Sequence, residues 1–337
     1  MILQTIWFVL VFVLLVGYAI LDGMDFGVGV LYLFFKDERH RRAALQAIGP
    51  VWDGNEVWLL TGGGALFAAF PAVYATVFSG FYLALFLLLV ALIARAVAIE
   101  FRSKVDSPRW RRVWDIVFAL GSFLPAVLLG VALGNVLRGV PVNEAGEYTG
   151  TFLGLLNPYA ILVGLTSLAA FTMQGAIFLA HKSEGAMQGH VATLVPTLWG
   201  GTLALFLATM AASLAAWHFL SAALTSPLSL ALGALAAVSL IAVAILARRK
   251  RFGSALVASS TAIGSMLALA GACLFPRLVP SSIDLAYSLT AYSSSSTQGT
   301  LTAMLVIALI GMPIVIAYTI YVHWVFRGKV TGGEADY

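Results

Sequence analysis

The chain has 337 residues, of which 61% are hydrophobic and 10% charged, with a mean hydropathy of +0.97. That balance excludes a soluble globular domain and indicates a polytopic membrane protein. The net charge of +4 belongs to topology rather than to nucleic-acid binding, and the single cysteine, Cys273, excludes an internal disulfide and any Cys-based metal or Fe–S site.

Nine apolar runs reach the ~20 residues a bilayer needs. They cover about 4–35, 51–71, 74–101, 112–138, 158–181, 192–222, 227–247, 254–275 and 300–326. Met1-Ile2-Leu3-Gln4 lacks the basic stretch of a cleavable signal, and the first run is too long for one. With the N-terminus outside and loops alternating, all Lys and Arg residues except Arg95, Arg138 and Arg277 fall in inner segments. The positive-inside rule therefore predicts an N-out, C-in topology. Two long outer connections remain, about 139–157 and 276–299, read either as a solvated cap or as binding loops.

A weak internal repeat accompanies this pattern. Residues 134–141 (GNVLRGVP) resemble 272–280 (ACLFPRLVP), and Met24-Asp25-Phe26-Gly27 resembles Met173-Gln174-Gly175. Four spans per unit keep both units in one orientation. The expected fold is all-α, with two four-helix bundles and one peripheral helix in a single transmembrane domain, 1–337. The repeats cover 1–150 and 151–299, and the last helix 300–326. Gly23-x-x-x-Gly27 and Gly130-x-x-x-Gly134 fit close helix packing. Thr61-Gly62-Gly63-Gly64 is read as packing rather than as a channel filter.

Acids inside the membrane are expensive and demand a reason. Asp22 and Asp25 lie in the first run, Asp53 and Glu56 at the start of the second. Each pair is i,i+3 and so shares a helix face. At ~1.5 Å per residue from the inner face, Asp53 is roughly 5 Å deep, Glu56 9 Å, Asp25 16 Å and Asp22 21 Å. Two readings stand: a graded proton relay, or structural acids that fix packing. Arg95, roughly 10 Å deep by the same rise, is expected to pair with Glu56 or Asp53. Glu100 is expected at the inner interface with Arg102 and Lys104, and Asp115 near Arg111 and Arg112.

His40, His181, His190, His218 and His323 offer no pair at matching depth on neighbouring spans, as a bis-His haem would need. Met24, Met173 and Met210 are better explained by packing than as axial ligands. Neither haem nor metal is expected in this chain. Trp110, Trp114, Trp217 and Trp324 read as interfacial anchors. Trp52 and Trp58 flank the acids, where they either pack against a quinone-like ring or fill a helix interface.

The run Asp22-Gly23-Met24-Asp25-Phe26-Gly27-Val28-Gly29, followed by Pro50-Val51-Trp52-Asp53-Gly54-Asn55-Glu56-Val57-Trp58, closely resembles subunit II of the bacterial cytochrome bd quinol oxidases. The likeness continues through 63–71 and 78–82, Phe101-Arg102-Ser103-Lys104, Trp114-Asp115, Gly134-Asn135, Gly139-Val140-Pro141, Leu156-Asn157-Pro158, Thr172-Met173-Gln174-Gly175 and Pro280-Ser281-Ser282. Residues 182–250 are poorly diagnostic. The resemblance implies a multi-pass protein of the bacterial inner membrane, in a complex that oxidises quinol and reduces oxygen to water. It implies haems b and d in a partner subunit I and none here, with small single-helix subunits, lipids and quinol as further partners and no nucleic acid. Asp53 matches the family's relay acid, Asp25 is a further candidate, and some relatives hold a quinone in this subunit. The rival reading is a stand-alone proton-coupled transporter using the same acids and repeat.

Overall fold

The computed structural model describes residues 1–333 apart from Trp217. Trp217, expected as an anchor, and the side chain of His218 lie outside the described residues. Twelve α-helices are found among the described residues: α1 (Ile2–Tyr32), α2 (Glu38–Ile48), α3 (Trp52–Ala69), α4 (Pro71–Gly80), α5 (Tyr82–Phe101), α6 (Pro108–Arg138), α7 (Pro158–Lys182), α8 (Gly185–Ala216), α9 (His218–Leu224), α10 (Pro227–Arg248), α11 (Phe252–Leu274) and α12 (Gln298–Val325). Eight of these, α1, α5 to α8 and α10 to α12, are long and apolar enough to cross a membrane.

Local chemistry sets the helix ends. Ser107-Pro108, Asn157-Pro158 and Ser226-Pro227 each place a capping side chain before a proline at the first helical position. One expected run is broken instead of continuous. Phe70 precedes Pro71 and takes an extended φ of −136°, which ends α3 and restarts the chain as α4. Phe81 then separates α4 from α5, so the expected span 74–101 is two helices. The expected loop after the first run instead holds α2, an amphipathic helix capped by Asp37 that buries Ala43, Ala44, Ala47 and Ile48.

α1 lies at the centre, against α3, α6, α7, α11 and α12. Its crossing with α7 depends on glycine. A Cβ on Gly27 would sit 1.9 Å from the Phe171 carbonyl oxygen, and one on Gly175 2.4 Å from the Gly27 carbonyl carbon. Gly130 and Gly134 press on α7 in the same way, against Gly164 and Ala160. A Cβ on Gly63 or Gly64 would meet nothing within 4 Å, so these two face away from the α1 contact that Gly62 makes with Leu14 and Leu15.

The two long connections are knitted into one cap. β1 (Arg277–Val279) pairs antiparallel with β2 (Leu289–Thr290). Val140 bonds Pro280 and Ser282 through its backbone at 3.0 and 2.9 Å. At the opposite end, residues after α12 strap across α7 and α2. Val330 N donates to Lys182 O at 2.8 Å, and Gln46 Nε2 to Gly333 O at 3.1 Å.

Substituting Gly27→Leu should prevent closure of α1 on α7. Overpacking of this kind costs ~1–3 kcal/mol or more, and thermal unfolding in detergent should show a clearly lowered midpoint. Gly63→Leu, facing open space in this chain, is the comparison.

Candidate functional site

Where α1, α3 and α5 meet, the apolar interior holds a polar cluster. Asp22 and Asp25 stand one turn apart on α1, both fully buried. Arg95 enters from α5, also fully buried, and its Nη2 donates to Asp22 Oδ1 at 2.6 Å. Glu56 Oε1 lies 3.4 Å from the same nitrogen, with its side chain 23% exposed. The guanidinium stacks over Phe26, 4.5 Å from the ring centroid. Asn55 Nδ2 donates to Asp25 Oδ2 at 2.8 Å and fixes that carboxyl.

Small residues make the meeting possible. A Cβ on Gly17 would lie 2.2 Å from the Trp58 ring, so α3 seats its indole directly on α1. A Cβ on Gly121 would lie 2.8 Å from Ala91 O and 2.9 Å from Arg95 Cβ, so α6 lets α5 turn Arg95 inward. Trp58 thus fills a helix interface, and Trp52 is half-buried.

The acids do not form the graded series expected from depth. Asp22 and Glu56, expected about 12 Å apart in depth at the helical rise, share one guanidinium. The count from the inner face assumed that α1 ends and α3 begins at one level. Instead the connection folds as α2, which packs its alanine stripe on the bundle, and the ion pairs set Asp22 and Glu56 side by side. Arg95 meets Glu56, as expected, but has Asp22 as its nearest acid. Asp53 is exposed on the outer face of α3, with Gly54, Val57 and Leu60. Asp53 and Glu56 are i,i+3 neighbours, yet the seam passes between them. Asn55, Trp58, Gly62 and Ala69 are the buried positions of α3.

Seven buried atoms of this cluster have no hydrogen-bond partner among the described residues: Tyr18 Oη, Asp22 Oδ2, Asp25 Oδ1, Trp58 Nε1, Arg95 Nε and Nη1, and Glu56 Oε1, which keeps only its ion-pair contact with Arg95. Native interiors rarely strand polar atoms, least of all in one place. Tyr18 also borders a cavity of about 380 Å³, otherwise almost entirely apolar, walled by Phe12, Phe81, Phe171 and Met210.

A second charged network lies at the α2 end. Asp115, fully buried, accepts from Tyr32 Oη at 2.9 Å, Arg102 Nε at 2.6 Å and Arg41 Nη1 at 3.0 Å. Arg102 also clasps Glu38 with two bonds of 3.0 and 2.9 Å. This differs from the expected neighbours of Asp115. Arg111 pairs with Asp106 instead, because α6 turns Asp115 to its buried side and leaves Arg111 and Arg112 outward. Glu100 is exposed. Burial would raise the Glu38 carboxyl, but the Arg102 and Arg42 bonds outweigh it and hold Glu38 below the usual carboxylate range.

His40 and His190 stack with ring centroids 6.0 Å apart at the same end, a pair that loop positions in the sequence did not reveal. Among the described residues, no three His, Cys, Asp or Glu side chains converge as a metal set.

The fold and site define a multi-pass helical membrane protein with a buried acid–base cluster. Residues 3–326 match the family described as cytochrome bd terminal oxidase subunit II. The chain is 38% identical to cytochrome bd-I ubiquinol oxidase subunit 2 of Escherichia coli (strain K12), over 99% of this chain and 97% of that protein. It is 36% identical to cytochrome bd ubiquinol oxidase subunit 2 of Bacillus subtilis (strain 168), with 98% of each covered. The bd oxidase structure from Geobacillus thermodenitrificans shares the fold with a TM-score of 0.81 at 19% identity, covering 97% of this chain and 99% of that one. The chain therefore belongs to the cytochrome bd oxidase subunit II family, a multi-pass protein of the bacterial inner membrane.

Two outcomes follow from this geometry. Arg95→Met should destabilise strongly, by ~3–5 kcal/mol, because it leaves Asp22 buried without its cation. The double variant Arg95→Met/Asp22→Leu should recover much of that loss in a denaturation cycle. Glu38→Gln should lower stability at neutral pH. Because the folded Glu38 titrates below its unfolded value, its contribution is present above the unfolded pKa. It fades as pH falls through the folded one, so wild type and variant should converge in acid.

Proposed function

We propose that this chain is the haem-free subunit of a bd-type quinol oxidase, which couples quinol oxidation to reduction of oxygen to water. In this reading it scaffolds the haem-bearing subunit I and carries protons to it from the cytoplasm. The observation that carries the reading is the Arg95 cluster. Asp22 and Glu56 share one guanidinium and Asp25 stands a turn from Asp22, held by Asn55, with seven buried polar atoms that lack a hydrogen-bond partner among the described residues. Water is the partner that suits such atoms, and a hydrated chain of carboxyls is material for proton transfer. The excess of acid over base supplies groups that can hold and pass a proton.

The surroundings support a direction. Asp53 is exposed on α3 with Leu60 and Phe67, and α5 likewise leaves Tyr82, Phe86, Leu89 and Ile93 uncovered. We assign that face to subunit I, which makes Asp53 an acid at the boundary between the chains. Asp25 and Asp22 are the inner members and Glu56 stands between, while Arg95 positions them.

The topology belongs to the same proposal: nine spans, N-out and C-in, arranged as two four-helix bundles plus α12. The basic residues gather at the α2 end. The repeat motifs touch their counterparts, Gly27 against Gly175 and Val140 against Ser281, as a pseudo-twofold arrangement of 1–150 and 151–299 would require. α12 buries only Leu301 among its described residues and is the peripheral element. Packing on Gly17 supports the interface role of Trp58 over a quinone role. A quinone in this subunit is better suited by the apolar cavity beside Tyr18.

Asp25→Asn should lower steady-state oxygen consumption about tenfold or more while the complex keeps its haem spectrum, on the scale of a lost proton-transfer group. Asp53→Asn should act in the same direction. Undiminished turnover in both assembled variants would overturn the relay.

A further inference from the structure

We infer that a groove on the membrane side of this chain is a binding site for an anionic, hydroxyl-bearing phospholipid, phosphatidylglycerol. His323 reads its headgroup and one acyl chain lies along α1, α10 and α11. The groove has a volume of about 550 Å³ and is bordered by Leu21 and Met24 of α1, Leu235 of α10, Val257 and Gly264 of α11, and His323 of α12. It is distinct from the cavity beside Tyr18, which shares none of these residues.

The decisive atom is on His323. Its Nδ1 lies 2.9 Å from the Thr319 carbonyl oxygen. A carbonyl only accepts, so Nδ1 carries the hydrogen. Its Nε2 has no hydrogen-bond partner among the described residues, on a side chain that lines a mostly apolar groove. The groove's hydroxyls do not serve it: Thr261 donates to Val257 O, and Ser265 donates to Thr261 O. A groove that opens between helices of a membrane protein meets bilayer molecules first. An acyl chain satisfies the walls but leaves Nε2 unmet, so the headgroup must provide the polar contact. A neutral imidazole accepts from a headgroup hydroxyl, and a protonated one donates to the phosphate. Phosphatidylglycerol offers both groups.

Charge points the same way. The turn joining the two groove walls α10 and α11 is Arg248-Arg249-Lys250-Arg251, four exposed consecutive cations. Val257 follows Arg251 by less than two helical turns, so the headgroup level of the groove borders this turn. Arg327, one turn beyond His323, lies over Trp324 with its guanidinium 4.6 Å from the ring centroid, an aromatic–cation pair suited to the interface. Polybasic segments at that level attract anionic lipid. The site therefore has an apolar channel, an orphaned nitrogen at its mouth and a basic turn beside it.

The test uses the chain purified with whatever subunits accompany it, washed in detergent and offered an equal mixture of phosphatidylglycerol and phosphatidylethanolamine. Native mass spectrometry counts the bound lipid. Wild type should retain at least one phosphatidylglycerol that washing does not remove. His323→Leu, Arg249→Gln/Arg251→Gln and the groove-filling Ser260→Phe should each weaken that binding about tenfold or more, the scale of one lost charge-assisted contact. Unaltered haem absorbance and subunit composition certify that each variant is assembled. Equal retention in wild type and all three variants would overturn the inference. So would equal retention of the zwitterionic lipid, or recovery of a quinone in place of phospholipid from the groove.

Discussion

A guanidinium with no exposed surface constrains this fold more than any other group. Arg95 sits among apolar helices, and removing such a charge from water costs several kcal/mol unless it is paired and hydrogen-bonded. Asp22 supplies the pairing at 2.6 Å, Phe26 the face beneath, and Glu56 a second acid at 3.4 Å. Asp22 and Phe26 come from α1, Glu56 from α3 and Arg95 from α5, so the cluster fixes how these three helices sit together. The glycines at 17 and 121 follow from it, because larger residues would hold α3 and α6 away and leave the charge unmet.

The same constraint connects stability to chemistry. A pair alone would need one carboxylate. The site has three carboxyls, an amide that orients one of them, and seven polar atoms with no hydrogen-bond partner among the described residues. That is more polarity than packing requires, and it is concentrated beside an uncovered helix face that carries Asp53. The α2-end network of Asp115, Arg41, Arg102, Glu38 and Tyr32 differs in kind. Three donors saturate Asp115 and two bonds clasp Glu38, so that network reads as a fastening for α1, α2, α5 and α6.

Much of this was legible in the sequence. Hydropathy gave the long helices, and Ser-Pro and Asn-Pro pairs marked their starts. The motifs around Asp22, Asp25 and the Trp52 to Trp58 run resembled the right family. Depth was not legible. Counting residues from the inner face assumed a common level for both runs, but the connection between them folds as α2 and Asp22 meets the same guanidinium as Glu56. The facing of α3 was partly legible. Asn55, Trp58 and Gly62 follow helical spacing with the least charged residues, which would have put Asn55 inside and Asp53 outside. Choosing the acids as the inner face concealed Asn55. The second network was hidden because Arg41 and Arg102 are distant in sequence from Asp115, and inner-loop cations look alike until the chain folds.

The central claim is that carboxyls grouped at Arg95 deliver protons for oxygen reduction. The most direct measurement is single-turnover proton uptake in the intact complex, read with a pH-indicator dye after mixing the reduced enzyme with oxygen. With Asp25→Asn, oxygen should bind at the wild-type rate while proton uptake slows about tenfold or more, as expected for a removed transfer group. Proton uptake at the wild-type rate in that variant would contradict the account.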